Sequence, residues 1–214
     1  IYMICVPTPF YENGNTPEPN IDYVLSATKS IAPFIKSGDL IILESTSPVG
    51  TTEKIQQTLI DFGINLKDVH IAYCPERVLP GKIMIEIVEN DRIVGGLASI
   101  STKEIADFYR MFINGDIFET DAKTAEMCKL AENSFRDLNV AFANELSMIC
   151  DKQGINVWNL IKLANKHPRV NILQPGTGVG GHCIAVDPWF IISQDIENTK
   201  LIRSAREVNN YKTK

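Results

Sequence analysis

The sequence predicts an α/β protein with a mostly parallel sheet, followed by a helical region that contains one long helix. Short apolar runs alternate with amphipathic stretches over residues 1–120, which is typical of βαβ units. A helical pattern then continues without interruption over residues 122–153, which is too long for an ordinary crossover helix. We therefore expect two domains, residues 1–120 and residues 121–214.

The predicted strands are short apolar runs that end in polar or turn-forming residues, as expected for buried parallel strands. They cover residues 1–6, 39–44, 69–74, 91–95 and 116–119. The first run has no residues leading into it, so we expect the chain to be part of a longer protein. Residues 11–20 are rich in asparagine and proline and are predicted to form a loop.

The predicted helices are stretches in which apolar residues recur every three or four positions. They cover residues 21–36, 51–62, 101–112, 122–153, 157–166, 187–194 and 197–211. A capping box from Ser101 to Glu104 is predicted to open the third of them. Because parallel sheets bind ligands at the carboxyl ends of their strands, residues 7–9, 45–47 and 75–77 are candidate binding loops.

The composition is that of an ordinary globular protein, with 44% hydrophobic and 22% charged residues. A net charge of −5 argues against a general nucleic-acid-binding or anionic-membrane-binding surface. The five cysteines lack C-x-x-C spacing and there are only three histidines, so we expect reduced thiols and no metal site. Neither a signal peptide nor an apolar run of about 18 residues is visible, so we expect no membrane partner.

Four glycines lie within residues 176–181, shortly before Cys183. Glycine is useful where a backbone turns sharply or where a ligand approaches it closely. If a helix begins near Cys183, then Cys183 and Asp187 share a face, and the helix N-terminus lowers the pKa of the thiol. Cys183 is then a candidate nucleophile. A glycine-rich loop before a buried structural cysteine would explain the same spacing.

Three polar residues of the long helix, Lys129, Asn133 and Arg136, share one face because they are spaced i, i+4 and i+7. A lysine next to an arginine has its charged form disfavoured, so Lys129 could serve as a general base or proton donor. The alternative is a solvated helix face on which Glu126 and Glu132 pair with these cations.

Weaker candidates lie at strand ends and at a helix end, where a surface loop would explain each of them equally well. These candidates are Thr8, Thr46, Glu76, Arg77, His167 and Arg169.

Five motifs in one order give the chain a resemblance to a known family. They are Cys-Val-Pro-Thr-Pro at residues 5–9, Glu-Ser-Thr-Ser-Pro-Val-Gly-Thr-Thr at 44–52, Cys-Pro-Glu-Arg-Val-Leu-Pro-Gly at 74–81, Lys-Leu-Ala-Glu-Asn at 129–133, and Gly-Val-Gly-Gly-His-Cys-Ile-Ala-Val-Asp-Pro-Trp-Phe at 178–190. The chain resembles the UDP-glucose/GDP-mannose dehydrogenase family over essentially its whole length. It is most similar to the branch that oxidises UDP-N-acetyl-D-mannosamine.

The resemblance implies that residues 1–120 are the C-terminal part of a Rossmann-like NAD-binding domain and residues 121–214 a helical dimerisation domain. It also implies a homodimer formed through the long helix, and the reduced thiols favour a cytoplasmic protein. Residues 1–120 lack the strand and Gly-x-Gly-x-x-Gly loop that bind the NAD pyrophosphate in such enzymes. We therefore expect the complete protein to contain further segments.

The reaction implied by the resemblance is a four-electron oxidation of the sugar C6 alcohol to a carboxylate by two NAD⁺. Cys183 would form a thiohemiacetal and then a thioester. Lys129 and Asn133 would serve in proton transfer and oxyanion stabilisation, and Asp187 would order Lys129 or the hydrolytic water. Thr8 and Thr46 would line the nicotinamide. The implied substrate contacts are Arg77, Val78, Lys129, Asn133, Arg136, His167, Arg169 and Gly180.

One departure from the family pattern bears on the substrate. Some members have a second glutamate four residues after the position of Glu76, where this sequence has Pro80. Glu76 is thus the only carboxylate of its loop, and Arg77 beside it favours an N-acetylhexosamine over glucose.

Other functions remain open at this point. UDP-N-acetylglucosamine or UDP-glucose could be the substrate, or the chain could act only as an oligomerisation module. An unrelated acyl-transfer enzyme could use Cys183 with His182 or His167, although that function leaves the order of the motifs unexplained.

Overall fold

The computed structural model describes residues 1–11, 17–79, 81–181 and 183–214. Its chain divides into two compact units, Ile1–Lys129 and Leu130–Lys214. The first unit is α/β and the second is helical. Pro80 and His182 lie outside the described residues.

The first unit is built on a five-stranded sheet, which confirms the predicted α/β class. The strands of the first unit, in chain order, are β1 Tyr2–Ile4, β2 Phe10–Tyr11, β3 Glu18–Pro19, β4 Leu40–Leu43, β5 His70–Tyr73, β6 Arg92–Gly96 and β7 Ile117–Asp121. The sheet has the order β1-β4-β5-β6-β7. Strands β1, β4 and β5 are parallel, β6 is antiparallel to β5, and β7 is parallel to β6.

The two remaining strands form a small antiparallel ribbon where a loop was predicted. Phe10 pairs with Pro19, and Tyr11 pairs with Glu18. The prediction is wrong at both ends of residues 11–20, because two-residue strands are too short to show the alternation from which strands are recognised. Residues 12–16, which separate the two strands in the chain, lie outside the described residues.

The helices in chain order are α1 Asp22–Ile31, α2 Thr51–Asp61, α3 Ile83–Glu89, α4 Ser99–Arg110, α5 Ala122–Gln153, α6 Val157–Ala164, α7 Asp187–Gln194 and α8 Lys200–Tyr211. The long helix α5 has the predicted bounds. Helix α1 ends before the prediction because Pro33 follows, and a 3₁₀ turn, Ala32–Phe34, takes its place. Helix α3 was not predicted. None of its residues is buried, and its sequence therefore lacks the amphipathic pattern by which helices are recognised.

The predicted capping box of α4 is wrong. The helix begins at Ser99, two residues earlier, with Ala98 as the N-cap residue and no side-chain cap. Ser101 and Thr102 lie inside the first turn and are buried. The Thr102 hydroxyl instead accepts a hydrogen bond from the Gly96 amide at 3.0 Å, which joins the helix to the end of β6.

The core of this unit lies on both faces of the sheet. Ile41, Leu43 and Tyr73 belong to the apolar cluster on one face, whereas Ile42 and Ala72 belong to the cluster on the other. All five are fully buried. Successive residues of a strand point to opposite faces, so continuous apolar runs are required when both faces are covered.

A buried carboxylate on α5 caps the start of α2. Glu126 accepts hydrogen bonds from the Gly50 amide at 2.6 Å and from the Thr52 amide and hydroxyl at 2.8 and 2.7 Å. Helix α2 has no side-chain cap of its own. Its first amide groups therefore depend on Glu126, whose negative charge also suits the positive end of the helix dipole. Burial raises the pKa of Glu126, and these hydrogen bonds oppose the increase.

We expect Glu126→Gln to lower the free energy of unfolding by about 1–3 kcal/mol, because the amide cannot accept all three hydrogen bonds. Since the folded-state pKa lies above the ordinary value of 4.5, folding favours the protonated carboxyl. The contribution of Glu126 is thus fully present below that value and decreases as the pH rises through the raised pKa. Urea unfolding should therefore show a smaller difference between the two proteins at neutral pH than near pH 4.5.

The exposed Glu145→Gln on the same helix is the matched control and should change stability little at either pH. A difference between wild type and Glu126→Gln that stays constant with pH would contradict the assigned burial effect.

Candidate active site

The two residues predicted to contact the cofactor lie together at the carboxyl edge of the sheet. The Thr8 hydroxyl donates a hydrogen bond to the Thr46 carbonyl at 2.6 Å. The Val6 amide donates to the Ser45 hydroxyl at 2.7 Å. Because β1 and β4 are adjacent and parallel, the loops that follow them meet at one edge, where such sheets bind ligands.

The loop after β5 is held by its own side chains. The Glu76 carboxylate accepts a hydrogen bond from the Val78 amide, and the Asn90 amide group donates to the Arg77 carbonyl at 3.1 Å. The Arg77 guanidinium donates to the Asp91 carbonyl at 3.4 Å. The carboxylate of Glu76 is thus engaged in shaping its own turn.

Lys129 contacts this loop through a backbone group. Its ammonium donates a hydrogen bond to the Glu76 carbonyl at 2.8 Å. An ammonium has three donors, so two remain for other acceptors. Glu126, proposed from the sequence as a surface partner of this lysine, is instead fully buried at the start of α2.

In the second unit, Asn133 and Asp187 form a buried pair next to Cys183. The Asn133 amide group donates a hydrogen bond to the Asp187 carboxylate at 2.5 Å, and both residues are at most 5% exposed. The Asp187 backbone amide donates to the Cys183 carbonyl at 2.9 Å. Cys183 itself is exposed, which argues against a buried structural cysteine.

Helix α7 has the predicted bounds, Asp187–Gln194. The conditional start near Cys183 does not occur, because the helix begins at Asp187 with Pro188 in its first turn. Proline fits the first turn of a helix, where its missing N–H costs nothing, and so favours this start. A backbone bond from the Val186 amide to the Cys183 carbonyl, at 3.0 Å, forms a separate turn before the helix.

The remaining candidate substrate contacts are exposed. They are Arg136, His167, Arg169 and Gly180. The ring nitrogen Nδ1 of His167 accepts a hydrogen bond from the Arg169 amide at 3.3 Å, just after the end of α6. Their roles stay predictions, and the suggested partner of Cys183 in an acyl-transfer enzyme, His182, lies outside the described residues.

The sequence analysis missed a buried ion pair in the second unit. Arg206 donates to the Asp137 carboxylate at 2.6 Å, and both side chains are at most 2% exposed. Charged residues in amphipathic helices are normally exposed, so no local pattern marks them. One signal was present, because Asp137 lies one helical turn after Asn133 and therefore shares its buried face.

All five cysteines are free thiols. Burial raises the pKa of Cys5 to about 11, and the nearby carboxylate of Glu44 adds to the effect. Burial raises the pKa of Cys74 to about 12. Both thiols are protonated at neutral pH and are poor nucleophiles.

Of the helices formed by the described residues, none has the length and apolar character needed to cross a membrane. Over the same residues, no cluster of three or more His, Cys, Asp or Glu side chains is placed to hold a metal ion.

Comparison with known families accounts for most of the chain. Residues 1–113 match the NAD binding domain of the UDP-glucose/GDP-mannose dehydrogenase family. Residues 123–211 match the central domain of the same family. Both of the predicted regions therefore have a counterpart in this family.

Individual relatives give the same result. The chain is 57% identical to a UDP-N-acetyl-D-mannosamine dehydrogenase of Escherichia coli (strain K12), over 99% of this chain and 52% of the relative. It is 55% identical to an NDP-N-acetyl-D-galactosaminuronic acid dehydrogenase of Ralstonia solanacearum, over 99% of this chain and 51% of the relative. The chain therefore spans about half the length of the curated relatives it matches.

A solved structure supports the fold. The UDP-D-ManNAc dehydrogenase of Pyrococcus horikoshii superposes with a TM-score of 0.91 at 44% identity, covering 98% of this chain and 50% of that structure. Together with the domain matches and the order of the motifs, this similarity shows that the chain belongs to the UDP-glucose/GDP-mannose dehydrogenase family.

Proposed function

We propose that the full-length protein oxidises the C6 alcohol of UDP-N-acetyl-D-mannosamine to the uronic acid with two NAD⁺. The observation that carries this proposal is the grouping of Asn133, Asp187 and Cys183 through hydrogen bonds of 2.5 and 2.9 Å. The 2.9 Å bond links the backbones of Asp187 and Cys183, and the 2.5 Å bond pairs the buried Asp187 carboxylate with the Asn133 amide. An exposed thiol and a buried, oriented carboxylate thus lie on one short segment, which suits the family's covalent route. The names of the relatives support the substrate class.

The overall reaction consumes the primary alcohol, two NAD⁺ and one water, and yields the carboxylate, two NADH and three protons. When bound, NAD⁺ would serve as the hydride acceptor of both oxidations, with Thr8 and Thr46 at its nicotinamide side. Between the two oxidations, the Cys183 thiol adds to the aldehyde carbon, its proton passes to the carbonyl oxygen, and a thiohemiacetal forms. Oxidation of the thiohemiacetal leaves a thioester, which water cleaves to release the acid and the thiol.

Each candidate residue has a separate part in this route. The Lys129 ammonium supplies two donors beyond its bond to the Glu76 carbonyl, which suits oxyanion stabilisation and proton transfer. Asp187 orients the hydrolytic water, and Asn133 holds the Asp187 carboxylate in place. The mutual position of Thr8 and Thr46 suits the nicotinamide side of the cofactor site.

The choice of sugar rests on the relatives and on the loop after β5. Relatives with two different N-acetylhexosamine names are 57% and 55% identical, so identity alone does not select the epimer. Arg77 beside Glu76 favours an N-acetylated sugar over glucose. Product analysis with UDP-N-acetyl-D-mannosamine, UDP-N-acetylglucosamine and UDP-glucose in parallel tests this choice. Faster oxidation of either alternative would replace the proposed substrate.

We also propose a homodimer formed through α5. Three large apolar side chains on this helix, Phe135, Phe142 and Ile149, are 69, 50 and 45% exposed. They follow one another at intervals of seven residues and so form a stripe along one face, opposite the side of Lys129. A two-fold axis would pair this stripe with its copy and remove it from water.

We place the enzyme in the cytoplasm. Its five cysteines are unpaired, which fits a reducing compartment.

We expect Cys183→Ala to abolish formation of the uronic acid while NAD⁺ binding is retained, because Thr8 and Thr46 lie on other elements. The measurement is NADH release together with mass spectrometry of the sugar product. Cys128→Ala, a half-buried thiol on α5, is the matched control and should keep its activity. Normal uronic acid production by Cys183→Ala would remove the covalent route.

We expect Lys129→Ala to lower kcat by about 10²- to 10⁴-fold, the usual effect of losing a positioned proton-transfer group. This variant should still form a thiol adduct when given the aldehyde, which Cys183→Ala cannot do. Lys123→Ala, an exposed lysine of the same helix paired with Glu53, is the control and should be unaffected. A kcat within twofold of wild type for Lys129→Ala would exclude it from the chemistry.

We expect the double variant Phe135→Ser and Phe142→Ser to shift the protein from dimer to monomer in sedimentation experiments at micromolar concentration. Phe34→Ser, which replaces a phenylalanine that is 65% exposed outside α5, should remain dimeric. A wild-type monomer, or a double variant that stays dimeric, would show that α5 does not form the interface.

A further inference from the structure

A chain of buried polar groups joins α5 to α8 in the second unit. It begins with the ion pair of Arg206 and Asp137 at 2.6 Å. The Asn209 amide group donates to the carboxylate and the carbonyl of Asp137, at 2.7 and 3.0 Å. The Asn144 amide group in turn donates to the Asn209 side-chain oxygen at 2.9 Å. Asn144, Asn209 and Asp137 are fully buried.

Both ends of this chain reach the segment that carries Cys183. At one end, the Asn144 side-chain oxygen accepts a hydrogen bond from the Gly176 amide at 2.9 Å. At the other end, Arg206 donates to the Ile184 carbonyl at 3.5 Å. We call residues 176–184 the Cys183 segment; its two ends are the two points of attachment.

The Cys183 segment needs attachment because of its composition. It contains four glycines, which give a backbone more conformational freedom than any other residue. Gly178 and Gly181 have φ values of +138° and +90°, and a Cβ on Gly178 would lie 2.2 Å from Thr213. A larger residue, which would restrict the backbone, therefore cannot replace Gly178. Contacts with other elements must hold the segment in one conformation.

Stability alone does not explain an ion pair at this position. Removing two charges from water costs free energy that their attraction often fails to recover, and well-packed apolar residues can replace such pairs without loss. Among the described residues, the Asp137 oxygen Oδ2 and the Arg206 nitrogen Nε have no hydrogen-bond partner, which adds to the cost. An apolar pair could not donate a hydrogen bond to the backbone of the Cys183 segment.

We propose that Arg206, Asp137, Asn209 and Asn144 are positioning residues, which hold the Cys183 segment by both ends so that the thiol meets the aldehyde carbon. This inference rests on the proposed function. Asn133, one helical turn before Asp137, binds Asp187 just beyond the segment. The same face of α5 thus supports the thiol and its neighbouring carboxylate.

The first test removes one link and leaves the ion pair intact. In full-length Asn144→Ala, hydrogen–deuterium exchange should become about tenfold faster in peptides covering residues 176–184, and remain unchanged in α2. The kcat for acid formation should fall about 10- to 100-fold with free aldehyde released, while the KM for NAD⁺ stays within about twofold. Asn139→Ala is the matched control, because that side chain binds only the Phe135 carbonyl of its own helix turn.

The second test separates positioning from stability. In the double variant Asp137→Leu and Arg206→Met, the melting temperature should fall less than in either single variant, because both charges are removed together and neither is left buried without its partner. Exchange in the Cys183 segment should nevertheless rise, and kcat should fall. Arg203→Met, which removes an exposed pair with Glu207 on the same helix, is the control.

The outcomes distinguish failure of the positioning role from failure of the proposed function. If Asn144→Ala leaves both exchange and kcat unchanged, or raises exchange without lowering kcat, the positioning role is overturned. A double variant that folds and works like wild type overturns it as well. If the wild type forms no uronic acid but exchange responds as expected, the proposed function fails and the attachment of the segment is supported.

Discussion

Several polar side chains buried along one helix, α5, form hydrogen bonds to other elements, and these bonds hold the surrounding loops in place. A buried polar group without a hydrogen bond costs about 1–3 kcal/mol, so most such groups are paired. The partners lie outside α5, in loops, at helix starts and in α8. The pairs are Glu126 with Gly50 and Thr52, Asn133 with Asp187, Asp137 with Arg206, and Asn144 with Gly176.

Glu126 shows how opposing energies balance at such a position. Its carboxylate loses water on burial, which disfavours the charged form, and gains three hydrogen bonds from the start of α2, which favour it. The raised pKa shows that desolvation is the larger of the two effects. The hydrogen bonds to Glu126 give α2 a cap that its own residues do not provide. The loop containing Thr46, which ends where α2 begins, is thereby held in place.

On the proposed covalent route, the Cys183 segment has to meet two conflicting demands. A thiol that reacts with a substrate has to be exposed, and glycines around it let a ligand approach the backbone closely. The same glycines leave the segment without order of its own, whereas covalent catalysis needs reacting atoms held within a fraction of an ångström. Attachment of both ends to buried side chains reconciles these demands, because it restricts the segment without covering the thiol.

Sequence patterns alone predicted the α/β class, the bounds of α5 and α7 and most of the other strands and helices, and the order of the motifs identifies the family. These features depend on periodicity and on residues close together in the chain, which sequence patterns report directly. The antiparallel direction of β6 and the partners of the buried polar groups follow instead from tertiary packing. The bond from Gly50 to Glu126 spans 76 residues, and that from Arg206 to Asp137 spans 69. No local pattern encodes such pairs, because they form only when packing brings distant backbone and side chains together and excludes the water that would otherwise satisfy them.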